Sequence, residues 1–210
     1  MLHAEPQNDH QSSEHFVLFS VASIVILGGV FGAAMGSYGD VRPLQMVYTA
    51  IKIPLLLLTS FTLTLPSFYA LNALFGLREQ FRESLRCILT AQVGITALLA
   101  SLAPATVFWY AAVSGYPAAK LFNFTLFALG AGYGWMLLRR IQRTLSEHDR
   151  THRLLIQIWI FQFAFVAIQL TWILRPFIGK PGWETRFLRE KAWGNAYVEL
   201  TQMMLKSVGW

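Results

Sequence analysis

Between Phe16 and Arg175 the chain is built from five long apolar runs separated by short charged stretches: Phe16–Tyr38, Leu44–Phe75, Ser84–Ala112, Tyr116–Leu138 and Leu154–Leu174. Each reaches the roughly 20 residues that a helix needs to cross bilayer hydrocarbon. Lipid offers no hydrogen bonds, so every backbone donor and acceptor must be satisfied inside the chain, and isolated runs of this length achieve that as helices. The expected fold is therefore all-α: a polytopic transmembrane helical bundle of about five spans. A charged fraction of 13%, against roughly 25% in soluble domains, agrees. The same composition excludes a disordered chain. A lone cysteine, Cys87, excludes a disulfide scaffold and a zinc ribbon.

Three segments follow. Residues 1–15 carry Glu5, Asp9 and Glu14 with no Lys or Arg and are read as a disordered polar tail. A secretory signal would start basic and continue with a shorter apolar run, so Phe16–Tyr38 is read as a retained span. Residues 16–178 form the membrane domain. Residues 179–210 form a C-terminal interfacial segment: Pro176, Gly179, Pro181 and Gly182 make a turn-rich exit, and Leu188, Ala192, Ala196, Leu200 and Met204 recur every fourth position from Glu184 to Lys206. That spacing predicts an amphipathic helix on the membrane surface. Within the second run, Pro54 and Pro66 each remove a donor, which predicts a kinked span, with two re-entrant half-helices as the alternative. Pro104 should bend the third run and leave Trp109 and Tyr110 at the interface.

The net charge of +6 lies in the gaps between apolar runs, where Lys and Arg anchor helix ends, and not on a soluble face. No nucleic-acid partner is expected. With the N-terminus inside, Arg78, Arg82, Arg86, Arg139, Arg140, Arg143, Arg150 and Arg153 share one side. Arg42, Lys120, Arg175, Lys180, Arg186, Arg189 and Lys191 share the other, so counting along the chain gives eight against seven and almost no orientation.

Gly28, Gly32 and Gly36 are spaced by four, with Gly29 and Ala33 on the adjoining row. Small residues at this spacing let helix backbones approach closely, either within the chain or across an oligomer face. Lys52 is the one charge placed well inside a run, and it is read as a lipid-phosphate or ligand contact, or as a donor to carbonyls freed by Pro54. Gln162 and Gln169, seven apart, share a face and suit hydrogen bonds between helices. No Asp or Glu falls within a run, which argues against a proton-driven pump. Gly130, Gly132 and Gly134 are spaced by two and so do not make one face.

Signatures of metalloproteases, serine hydrolases and nucleotide-binding loops do not occur, so no catalytic residue, metal or cofactor is expected. His148 and His152 stand four apart, but in a loop rich in arginine a solvated helix or an anionic-lipid contact is the better reading. Cys87 is read as a structural thiol. In Trp172-Ile173-Leu174-Arg175-Pro176-Phe177-Ile178-Gly179, Arg175 is near enough to Trp172 for cation–π contact, and Pro176 ends the helix. Trp172 and Arg175 join Lys52 as candidate lipid or ligand contacts.

That motif, W-x-L-R-P-F-I-G, together with Lys52-Ile53-Pro54 and a span ending Ala103-Pro104-Ala105-Thr106, resembles an uncharacterised family of bacterial multi-pass membrane proteins. The resemblance covers the region from Gly36 to Arg189 and implies residence in the bacterial inner (cytoplasmic) membrane, with no activity to carry over. Span number and loop pattern alone resemble, more loosely, five-span Yip1-type trafficking proteins. The functional expectation is an integral membrane structural or accessory subunit. Its partners would be the lipid bilayer and a membrane protein or a second copy of the chain. A small permease or lipid-handling protein is the alternative.

Overall fold

The computed structural model describes residues 6–39, 42–76, 78, 81–113, 115–145, 150–179, 182, 184–188 and 198, with backbone alone for 6–12, 142–145 and 150–153. Six helices account for nearly all of it: α1 Pro6–Gly36, α2 Pro43–Leu74, α3 Phe81–Ser101, α4 Ala103–Ala112, α5 Tyr116–Leu145 and α6 Arg150–Ile173. The fold is an all-α bundle with no strand among the described residues, and five helical stretches are long and apolar enough to cross a membrane. α3 and α4 together make one of these stretches.

Two boundaries differ from expectation. α1 begins at Pro6, so the helix runs through most of the segment expected to be a disordered tail. Once the apolar span nucleates a helix, adding residues is inexpensive, and Gln7 to His15 contains no Gly or Pro to stop it. The second apolar run is one 32-residue helix containing both Pro54 and Pro66, not a re-entrant pair. Proline is tolerated inside a membrane helix where neighbours cover the freed carbonyl. Here the Ala50 carbonyl freed by Pro54 faces Gly29 of α1, where a Cβ would stand 3.6 Å away. At the third run the chain breaks at Leu102, whose N–H reaches both the Leu98 and Leu99 carbonyls before α4 starts with Pro104 in its first turn.

α1 is central. It packs on α2, α3 and α4, while α6 lies against α2 and α5 against α3. Two apolar clusters mark the two ends of the bundle. One joins Phe31, Met35 and Tyr38 of α1 to Ile53, Leu56, Leu99, Leu126 and the residues just after α6. The other joins Phe68, Cys87, Ile88, Ala91, Leu138, Ile156 and Trp159. Outside them, large apolar side chains such as Phe19, Phe108, Phe124 and Phe161 are exposed on all flanks. An apolar exterior this continuous suits lipid and would be a liability in water.

Candidate functional site: the polar face of α2 and the chain after α6

Arg42, Gln45, Thr49 and Lys52 are spaced by three, four and three, which places them on one face of α2. Polar heads removed from water need partners, since an unpaired one costs several kcal/mol in hydrocarbon. The partners come from the far end of the sequence. α6 closes with Leu174 N–H on the Leu170 carbonyl, the Arg175–Pro176 peptide is cis, and the chain folds back onto α2 instead of leaving the bundle. Leu174, Phe177 and Ile178 are all buried there.

Outside a helix, the Pro176 and Phe177 carbonyls lack helical donors, and α2 supplies them. Lys52 Nζ donates to the Pro176 oxygen at 2.7 Å. Gln45 Nε2 donates to the Phe177 oxygen at 2.9 Å. Thr49 Oγ1 lies 2.7 Å from that same oxygen and 2.9 Å from its own helix's Gln45 carbonyl, so its single proton serves either. The Lys52 ammonium also stands 4.9 Å from the Phe187 ring centroid and 5.8 Å from that of Phe177, within cation–π range. Phe187 in turn packs edge-on against Tyr48. Gly179 completes the contact, lying against the Arg42 guanidinium and the Gln45 side chain.

Lys52 is therefore fully buried and bonded to protein. One expectation changes: Lys52 caps the carbonyl of Pro176 and not one freed by Pro54, and residues 176–179 of the motif fold as a clasp against α2. Arg175 does sit on Trp172, 3.1 Å from the ring centroid, with Nε donating to the Trp172 carbonyl at 3.1 Å. Sequence reasoning singled out Lys52 and passed over Gln45 and Thr49. The available signal was three polar residues on one face of an otherwise apolar half-helix.

The glycine row is consumed within the chain. A Cβ on Gly32 would collide with the Thr49 carbonyl and stand 2.8 Å from Ala50 Cα, and one on Gly36 would stand 2.8 Å from both the Gln45 oxygen and Met46 Cα. Gly28 is looser, facing Ile53 and Pro54 at 3.5 Å. The N-terminal half of α2 is thus held between the glycines of α1 and the clasp. A second small-residue contact joins α3 to α5, where Gly130 and Gly134 face Ile95 while Gly132 points away with nothing within 4 Å. Gln162 and Gln169 are half-buried on α6. Cys87 is buried beside Ile88 and Phe68.

Among the described residues, no group of three or more His, Cys, Asp or Glu is placed to hold a metal. His148 lies outside the described residues, as does the side chain of His152. Most of the expected amphipathic segment also lies outside them, and residues 184–188 are irregular, with Arg186 paired to Glu184 at 2.9 Å. Comparison with family models, curated proteins and solved structures finds no match. Five candidate spans around a buried polar clasp define the class: an integral, multi-pass helical membrane protein.

Proposed function

We propose that the chain is a non-catalytic accessory subunit of a membrane assembly, docking through the outer face of α5 against a second membrane protein. The observation that carries this reading is Gly132. It stands on an exposed face with open space around its Cβ position, beside exposed Ala128 and Ala131 and between Phe124 and Met136. Small residues facing outward from a membrane helix admit a neighbouring helix closely, where a larger side chain would only meet lipid. The polar groups best suited to chemistry support the same reading, since Lys52, Gln45 and Thr49 are occupied in holding this chain together.

Gentle extraction followed by native mass spectrometry tests the proposal. The wild-type chain should leave the membrane in fixed ratio with a partner, and Gly132→Leu should release that partner while the chain keeps its melting temperature. A wild-type chain that emerges with lipid alone overturns the reading.

A small permease is the second reading, favoured by Gln92 of α3. This side chain is 3% exposed, and neither of its amide atoms has a hydrogen-bond partner among the described residues. If the amide only packs, Gln92→Leu should stabilise the fold by about 1–3 kcal/mol, because an orphaned buried amide is removed. If the amide belongs to a conduit, the same change should abolish solute flux in proteoliposomes.

A further inference from the structure

We propose that the end of the bundle where α3 begins and α5 ends is a binding surface for anionic phospholipid headgroups. The bundle distinguishes its two ends where counting cations along the chain did not. At this end Arg78, Arg82, Arg86, Arg139 and Arg140 are all exposed, against exposed Glu14 and Glu83. At the opposite end, several of the described cations are turned onto the protein itself. Lys52 is held by Pro176, Arg42 is half-buried against Gly179, Arg175 is half-buried on Trp172, and Arg186 pairs with Glu184. Lys120 is exposed there and lies over its own helix's Tyr116 ring.

The arginines of the first end form one surface. Gly94, Gly130 and Gly134 bring α3 and α5 into close contact, and Cys87, Ile88 and Leu138 share one cluster. The first turns of α3, with Arg82 and Arg86, therefore stand beside the stretch of α5 that carries Arg139 and Arg140. Arg86 lies over Phe16 at 5.8 Å and Arg139 over Trp135 at 4.4 Å. A guanidinium resting over an aromatic ring keeps its charge and its outward N–H groups, which can grip a phosphate through paired hydrogen bonds.

Position selects lipid as the source of that phosphate. The arginines lie at the ends of membrane-length helices, and Leu74 and Phe75, 81% and 56% exposed, come four and three residues before Arg78 in the chain. Apolar side chains and cations meeting at helix ends match the boundary between acyl chains and headgroups, where each cation adds attraction to an anionic leaflet.

The test is native mass spectrometry of the full-length chain titrated with phosphatidylglycerol or with phosphatidylcholine of identical acyl chains. The wild-type chain should retain phosphatidylglycerol preferentially. Arg82→Gln, Arg86→Gln and Arg139→Gln combined should lower that preference by on the order of tenfold or more, given the attraction each cation contributes. Lys120→Gln with Arg186→Gln should leave it intact. Raising the salt concentration should weaken the preference of the unaltered protein, a measurement independent of how the variants fold. Equal retention of the two lipids by the wild type, a preference insensitive to salt, or one lost through the Lys120 and Arg186 substitutions would overturn the proposal.

Discussion

Gly32→Leu should leave little folded protein, because it forces apart the two helices on which the rest of the bundle is assembled. Even the Cβ of alanine at this position meets backbone, the Thr49 carbonyl and Ala50 Cα, and backbone in mid-helix cannot turn aside. Overpacking of this kind costs about 1–3 kcal/mol for a methyl group, and more for a larger side chain. In lipid no hydrophobic gain opposes the separation, since acyl chains cover an apolar helix face equally well. Gly32→Ala should therefore lower the melting temperature by several degrees, and Gly32→Leu should abolish the monodisperse peak in fluorescence-detected size exclusion. Gly28→Ala, with neighbours at 3.5 Å, should be nearly neutral. Equal tolerance at positions 28 and 32 would show that α1 and α2 do not pack through this row.

Lys52→Ala should be the other severe substitution, and its effect should be structural. The change strands the Pro176 carbonyl in an apolar setting and empties the space beneath Phe187. A stranded acceptor costs about 1–3 kcal/mol, and a cavity of this size adds a comparable amount. Lys52→Met fills the space and isolates the first contribution. Both variants should expose the chain after α6, so limited proteolysis should cut between residues 179 and 188 faster than in the wild type, with Ala the more affected. Gln45→Leu with Thr49→Val should produce the same cut by stranding the Phe177 carbonyl. Unchanged proteolysis in all three variants would mean that the clasp is not held by these donors. A Lys52 that serves chiefly as a ligand contact, the other reading of the sequence, would instead leave the fold intact in these variants.

The glycines show where sequence reading succeeds and where it stops. Spacing by four placed Gly28, Gly32 and Gly36 on one face and marked that face as a close contact, because 3.6 residues per turn allow nothing else. Whether the contact lay within the chain or with another was open, and α2 fills it. For Gly130, Gly132 and Gly134, spacing by two established that the three do not all share a face, although Gly130 and Gly134, four apart, do. Only packing against Ile95 revealed which of them points outward. Arg175 and Trp172 were legible because they are three residues apart at the end of α6, and a local contact needs no tertiary information.

Residue order alone is enough to infer that the chain is helical and that its helices are long enough to cross a bilayer five times; it marked the break near Pro104, whereas Pro54 and Pro66 stay inside one helix. The reason is physical: lipid leaves the backbone one way to satisfy itself in each isolated run, so the length of the runs decides the architecture. Only packing in three dimensions shows which carbonyl Lys52 meets and which arginines gather at one end of the bundle. The carbonyl that receives Lys52 lies 124 residues away and becomes available only because the chain leaves α6 and turns inward. No local pattern at either position encodes that meeting, which depends on where α6 docks on α2. Likewise, cations nearly balanced along the chain differ in setting among the described residues, where the arginines at the start of α3 and near the end of α5 are exposed together while Arg42 and Arg175 are half-buried.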